Sequence, residues 1–551
     1  MVHFSNEIYI TLVKHLMAKT GLSILRKPGI KLSDEEIRNF ICDGILVIDS
    51  GVAPEVNHQI FDKIQWNNNH EFNMGNNVLP RVPELQQVLD SPRIHGALES
   101  VLGTDYILHP HRFMHASEPV DEETRLTNLV GSEHAPTMGQ GSSGFSGWHQ
   151  DSQSPLSRAR YHVPRYAMIL YFPQDTPVER GPTRVIPGTQ LQAGLLGSDS
   201  QYAYVCDHVK AGTCFLIAFD IAHAAFPNKT EISRYMFKFV FIRAHNPSGP
   251  SWDGGLVPWV EPQSRRGRYC HSRAWNYIWD WMRGKRCDGL PATESSIEVL
   301  VGNLNGNNPE LALNAVYELA SLGPEAVDPL VESLLSYAGQ ELKPYREDIK
   351  EISETFHPRE WNEGAYALQD EAYALGAMGE AALDALIKLL QYDDKWIKIN
   401  AAFALGEIGE SAIPAIPILI KQLKDDHHQV VRVTLDALAC IGGDVRGALP
   451  IIRKLLTTSN PAWQEIPIGR GWTGENQLRM NAMLLLLTSD ISASEIEDLL
   501  VSTLQDPNGY VPALAIEALS QDGSPEGVRA ALDFLKTHRW DDTLANERRV
   551  F

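Results

Sequence analysis

The stretch Gly212–Arg243, GTCFLIAFDIAHAAFPNKTEISRYMFKFVFIR, sets the class of the first half of the chain. GTCFLIAF reads as an apolar strand, PNKT as a turn, and RYMFKFVFIR as the returning strand. Such a hairpin would bring His223, and Arg234 eleven residues later, to one wall of a pocket.

Similar runs lie upstream. Tyr106–Phe113 and Tyr166–Phe172 are strand-like, and Gly/Pro-rich turn signals separate all of these runs, as in an antiparallel sandwich or barrel. Helical patterns occupy the front, at Ser33–Cys42 and Pro54–Ile64. Ser33 and Glu36 have the spacing of a capping box.

Near residue 290 the texture changes to Ala/Leu-rich and helical, and it repeats. AVYELASLGPEAVDPLVESLL from Ala315 aligns with AYALGAMGEAALDALIKLL from Ala372, AFALGEIGESAIPAIPILIKQL from Ala402 and LDALACIGGDVRGALPIIRKLL from Leu435. Gly323, Gly379, Gly409 and Gly442 fall at matching places. Each unit predicts a helix, a glycine C-cap, and a second helix that often begins near proline. One such pair cannot bury its apolar face alone, so the pairs must stack. Weaker copies follow around Asn481–Leu487 and Ala513–Leu519. Two insertions interrupt the array, at Gly339–Asn362 and Ser459–Asn476. Between the halves, HSRAWNYIWDWMRGK carries Trp275, Tyr277, Trp279 and Trp281, a cluster suited to gluing the β-rich half to the first repeats.

The reading divides the chain into an N-terminal helical extension (1–30), a β domain (31–250), an aromatic linker (251–294) and a repeat domain (295–545). The chain has 551 residues, 43% hydrophobic and 21% charged, an ordinary folding composition. A formal charge of −21 argues against a nucleic-acid partner, since phosphate backbones repel an acidic chain. The one basic patch, Arg265, Arg266 and Arg268, reads as a solvated face. No unbroken apolar run reaches the roughly 18 residues of a membrane helix, so no membrane insertion is expected. Six cysteines without a CxxC pair suit a reducing compartment, and the first 21 residues read as an amphipathic helix instead of a secretory signal. A cytoplasmic location is the expectation.

The sharpest chemical signal is GWHQDSQSP from Gly147. On a strand, His149 and Asp151 would face the same way and share one metal, an edge of the two-histidine, one-carboxylate triad that binds non-haem Fe(II). The second histidine must come from elsewhere; His162, His208, His223 and His245 are candidates. A buried Arg234 would need an anion. Spacing leaves two open: a structural Asp or Glu, or the distal carboxylate of 2-oxoglutarate.

His149-x-Asp151, His223 and Arg234, with GPTRVIPGTQ from Gly181 and the opening LSDEEIRNFICDGILVIDSGV, resemble the phytanoyl-CoA dioxygenase family of Fe(II)/2-oxoglutarate oxygenases over residues ~30–246. The resemblance implies a double-stranded β-helix (jelly roll) fold. It implies Fe(II) held by His149, Asp151 and His223, with 2-oxoglutarate and O₂ as cosubstrates. Arg234 would pair with the C5 carboxylate, and Gln150 would touch the cosubstrate or the pocket wall. Asp151 argues against the related halogenases, which lack the carboxylate. The implied reaction is oxidation of a C–H bond, most simply hydroxylation, in a small organic substrate, with decarboxylation of 2-oxoglutarate to succinate; a hydrophobic secondary metabolite is the leaning.

Three departures stand out. Ala225 occupies a position where the family often has Ser or Thr, and Gln190 stands where a His is usual. The Gly/Ser-rich MGQGSSGFSG from Met138 is either a lid or a surface loop. The second half resembles HEAT-like repeats of the phycobilisome-lyase type over residues ~295–540, an α-helical solenoid. Three rival readings remain: an iron-only enzyme without cosubstrate, in which Arg234 pairs with a protein carboxylate; a scaffold with an inactive oxygenase-like domain; or an oxygenase whose repeats recruit a protein partner or carrier-bound substrate. An open concave face on the repeats would favour the last.

Overall fold

The computed structural model describes residues 27–70, 74–120, 148–151, 159–194, 197–285, 293–342, 365–464, 467–469 and 472–537. Most of the N-terminal extension, the Gly/Ser-rich stretch and most of the first insertion lie outside them.

The capping box forms at the first described helix, α1 (Asp34–Asp43): the Ser33 side chain accepts from the Glu36 N–H, and Glu36 accepts from the Ser33 N–H. Such a cap contributes about 1 kcal/mol. Helices α2 (Pro54–His70) and α3 (Pro92–Leu102) follow. The strands needed below are β1 (Ile45–Asp49), β2 (Ile107–Ser117), β3 (Tyr166–Tyr171), β4 (Thr176–Pro177), β5 (Thr183–Val185), β6 (His208–Val209), β7 (Thr213–Ala218), β8 (His223–Ala225) and β9 (Arg234–Ile242). The strand-like runs of the sequence fall on β2, β3, β7 and β9.

Five strands form one antiparallel sheet in the order β1-β7-β3-β9-β2. Side chains alternate across it. One face carries Tyr171, Tyr235, Phe237, Phe239 and Phe241, and it packs on the helices: Tyr171 donates to Asn57 of α2, and Phe61 of α2 lies 5.8 Å from Tyr235. The other face of β9 carries Arg234, Met236 and Lys238. Opposite that face stand only short pairs, β4–β6 and β5–β8, with isolated bridges His149↔His223 and Val185↔Tyr204. Among the described residues, the second full sheet of a jelly roll is therefore represented by fragments.

Helix α4 (Ser272–Met282) holds the aromatic cluster and touches both halves. Trp279 lies under Arg38 of α1, whereas Tyr277 lies 4.7 Å from Tyr317 in the repeats. Six helix pairs follow among the described residues. Their first members are α5 (Pro309–Leu322), α6 (Asp370–Ala377), α7 (Lys395–Ile408), α8 (His428–Ile441), α9 (Gly474–Leu487) and α10 (Tyr510–Asp522). The four matching glycines all have φ between 65° and 73° at the ends of α5 to α8, a region that side chains with a Cβ enter at a cost. The weaker copies are α9 and α10. The helical stretch Lys395–Gln422 is long and apolar enough to cross a membrane, although charged residues interrupt it; 61% of its most apolar part is buried inside the protein.

The first helices face the β domain. Tyr317 of α5 bonds His162 (2.7 Å), Tyr373 of α6 stacks on His162 (4.0 Å) and donates to the Arg160 carbonyl (2.8 Å), and Phe403 of α7 lies 5.8 Å from Tyr161. Glu407 of α7 receives Arg165 (3.2 Å). The Cys440 carbonyl of α8 receives Asn246 (2.8 Å). At the far end, Tyr510 of α10 bonds His111 (3.0 Å) and receives Asn76 (3.1 Å). The inner row of the solenoid is thus covered by the chain's own β domain.

Candidate metal centre

His149 is placed by one bridge and not by a continuous strand. Its N–H donates to the His223 carbonyl (3.2 Å), and the His223 N–H donates back (3.1 Å). Residues paired in this way project to the same side, and the two rings lie 4.1 Å apart. Asp151 follows at the start of a helical turn. Its Oδ2 is 3.8 Å from His223 Nε2. One ligand atom from each of His149, Asp151 and His223 lies within 4.8 Å of the others. His223 Nδ1 lies 3.0 Å from the Ile221 carbonyl, a contact that places its proton there and leaves the Nε2 lone pair for a metal. His162, His208 and His245 lie elsewhere: against Tyr317 at the repeat interface, near Asp175 and beside Asp105.

Asp151 and His223 are buried, and His149 is half-buried. Burial alone would raise the Asp151 pKa. The ammonium of Lys238, which contacts Oδ2, and then His223 and His149 outweigh burial and hold the carboxyl below its ordinary value. Burial and the same ammonium push His115 on β2 down to about 3, and they lower His111 as well. Both rings are therefore neutral near pH 7. Reading the sequence missed Lys238 and these two histidines. The available signal was a single charge inside the apolar strand RYMFKFVFI, four residues beyond Arg234 and so on the same face.

Arg234 is 2% exposed. Its Nε donates to the Gly181 carbonyl (2.9 Å) and its Nη1 to the His115 carbonyl (3.4 Å). Among the described residues it has no carboxylate partner, and burial pushes its pKa down to about 10. Two carbonyls leave donors of the guanidinium fork over for an anion.

Gln150 points away from the triad. Its amide donates to the carbonyls of Gln192 (2.8 Å), Asp220 (3.0 Å) and Thr189 (3.1 Å), so it braces the pocket wall; its N–H groups are not turned to the metal side. Gln190 donates to the Ile41 carbonyl (3.0 Å) at the end of α1, away from the triad. Ala225 faces Thr183 across the β5–β8 pair, which puts a hydroxyl-bearing side chain on that wall in register with the alanine. On the opposite face of β5, Arg184 stacks on Trp148 (4.5 Å), the neighbour of His149. The arginine patch is not a free basic surface: Arg265 pairs with Glu261, Arg266 with Asp43 and Arg268 with Asp199.

Family comparison agrees with this geometry. Residues 40–236 match the family model for phytanoyl-CoA dioxygenase (PhyH), and residues 371–439 match that for HEAT repeats. No curated protein matches the chain in sequence. Among solved structures, the alpha ketoglutarate dependent epimerase SnoN from nogalamycin biosynthesis is 17% identical, with a TM-score of 0.29 over 38% of this chain and 83% of that one. The non-haem monooxygenase ThoJ in a nickel complex is 19% identical, with a TM-score of 0.27 over 41% and 88%. The carbocyclase SnoK is 16% identical, with a TM-score of 0.30 over 40% and 88%. The chain carries a phytanoyl-CoA dioxygenase family domain at residues 40–236, followed by HEAT repeats.

Proposed function

We propose that the protein is an Fe(II)/2-oxoglutarate-dependent oxygenase of the phytanoyl-CoA dioxygenase type that hydroxylates a C–H bond of a small organic substrate. The observation that carries this reading is the convergence of His149, Asp151 and His223 beside a buried Arg234 that no described carboxylate neutralises. Two neutral imidazoles and one carboxylate are the donor set that suits Fe(II) and leaves positions open for other ligands.

Iron loaded with 2-oxoglutarate supplies the oxidising chemistry, with O₂ consumed and 2-oxoglutarate decarboxylated to succinate. The chain's own groups do the rest. His149, Asp151 and His223 hold the metal. The Ile221 carbonyl fixes the His223 tautomer. Arg234 holds the C5 carboxylate through the donors its two carbonyl bonds leave over, and Thr183 offers a hydroxyl on the wall where Ala225 has none. Gln150 locks three backbone segments behind the ligands. Met236 of β9, and Leu170 of β3 in register with Lys238, put apolar groups on the site face of the sheet.

The row of first helices is occupied by the oxygenase domain, which speaks against recruitment of a partner through that face. A protein partner of the repeats would meet the second helices instead.

The test is anaerobic addition of Fe(II) and 2-oxoglutarate, followed by the visible metal-to-ligand charge-transfer band. The band is expected in the wild type, absent in His149→Ala and weakened in Arg234→Ala. A folded, iron-loaded wild type that shows no band sinks the 2-oxoglutarate assignment and leaves the scaffold or an iron-only site.

A further inference from the structure

Along β9 the site face carries Arg234, Lys238 and Ile242 in a row, four residues and roughly 13 Å apart at each step. Lys238 marks the level of the metal centre, because it contacts Asp151. Arg234 marks the end to which the oxygenase reading assigns the C5 carboxylate of 2-oxoglutarate. The other end has no role yet. There Tyr166 of β3 stands in register with Ile242, and cross-strand partners project to one face. The Tyr166 ring lies 5.1 Å from that of Phe219, and both line a cavity with an empty volume of about 540 Å³. One wall of this cavity runs straight into the ligand set. The Asp220 carbonyl receives Gln150, which stands between His149 and Asp151, and the next carbonyl, of Ile221, lies against His223 Nδ1.

A second wall, residues 160–164, is gripped by the repeats. Tyr373 donates to the Arg160 carbonyl, Phe403 lies against Tyr161, and His162 bonds Tyr317 and stacks on Tyr373. Phe40 and Ile41 of α1 and Ile278 of α4 complete the lining. The lining is mostly apolar and its charges are balanced. Arg160 and Asp220 are the charged residues in it, and they pair with each other, Nε to Oδ2 at 3.7 Å. Gln190 donates to the Ile41 carbonyl. An ionic ligand would therefore be buried among these residues without a counter-charge of its own, which is unfavourable. The rings of Phe40, Tyr161, Tyr166 and Phe219 suit a ring packed edge-on or offset against them.

We infer that this cavity is the substrate site of the oxygenase and that it takes an uncharged, largely apolar molecule bearing a ring. This rests on the oxygenase reading above. Substrate and cosubstrate then approach the metal from opposite ends of one sheet face. The repeats gain a part in the reaction, since they hold the loop that shapes the substrate wall.

The test begins with calorimetric titration of the iron-free, full-length protein with three single-ring compounds of similar size: benzyl alcohol, benzoate and benzylammonium. Benzyl alcohol is expected to bind about tenfold or more tighter than either ion. Leu191→Trp, which puts a larger side chain into the lining, is expected to weaken the alcohol about tenfold or more. Phe219→Ala removes a wall ring instead of adding one and is expected to weaken it about fivefold; thermal unfolding shows that each variant is folded. Benzyl alcohol is then added under argon to the protein loaded with Fe(II) and 2-oxoglutarate, where it is expected to shift the charge-transfer band. No saturable binding of the alcohol, tighter binding of either ion, or binding unchanged in both variants overturns the inference. A bound alcohol that leaves the band in place also overturns it, while the oxygenase reading stands. A folded, iron-loaded wild type that never shows the band removes the oxygenase reading, and the substrate role with it, whatever the calorimetry finds.

Discussion

Two buried guanidinium groups, on either side of the β domain, have opposite surroundings. Arg165 sits where the domain meets the solenoid. It has the Glu407 carboxylate at 3.2 Å, the Asn246 side-chain oxygen at 2.9 Å, and the rings of Tyr161 and Trp281 on its faces. Arg234 sits on the site wall with two carbonyls and no described carboxylate. The first has its anion supplied by the fold. The second has no carboxylate among the described residues, so its burial is a cost to the ligand-free fold that a bound anion would offset. Arg184 and Arg243 are also buried without a described carboxylate, so what sets Arg234 apart is its place on the strand face that also carries Lys238, the partner of Asp151.

The strongest way to break this contrast is to remove the interface anion. Glu407→Ala leaves Arg165 buried and unpaired and should cost about 3–5 kcal/mol of stability in denaturant unfolding. Replacing both partners, Arg165→Met with Glu407→Leu, should recover stability to within about 1 kcal/mol of the wild type. If Glu407→Ala unfolds like the wild type, the ion pair is not structural and the contrast collapses.

At the site the signs should reverse. Arg234→Met removes a charge that no protein anion balances, so thermal unfolding should move little or upward. The 2-oxoglutarate Kd should rise by about one to two orders of magnitude, the ~1.5–3 kcal/mol of a hydrogen bond to a charged group. A large loss of stability with unchanged cosubstrate affinity would make Arg234 a structural residue like Arg165.

The smallest expected effect sharpens the same wall. Thr183→Val keeps the shape and removes the hydroxyl opposite Ala225. The 2-oxoglutarate Kd should rise about fivefold, one neutral hydrogen bond's worth. Calorimetric titration that finds no change would assign Thr183 to packing alone.

Much of this was legible in the sequence because it is local or periodic. The His-x-Asp spacing, the hairpin carrying His223 and Arg234, and the glycines that end α5 to α8 could all be read from short windows. The expected role of His149 and Asp151 on one strand was not met: a single backbone bridge does that work, and bridges between residues 74 positions apart leave no local trace. Lys238 stayed hidden because one lysine in an apolar strand reads equally as an edge position or a buried partner, and only the register of β9 against β2 and β3 turns it inward. The interface stayed hidden for a related reason. Tyr317, Tyr373 and Phe403 fit the apolar pattern of their own helices, so nothing in that pattern distinguishes packing between repeats from packing on another domain.

The grip of α5 to α8 on Tyr161, His162, Arg165 and Asn246 has a consequence for how the protein can be divided. A boundary drawn at the change of sequence texture separates two kinds of secondary structure, yet it does not separate two units that stand alone. Cutting there would uncover His162 and Arg165 and strip the inner helices of the surface they close on. The two halves are different in architecture but share a single packed interior. A gene fragment encoding the oxygenase half alone is therefore expected to yield insoluble chain.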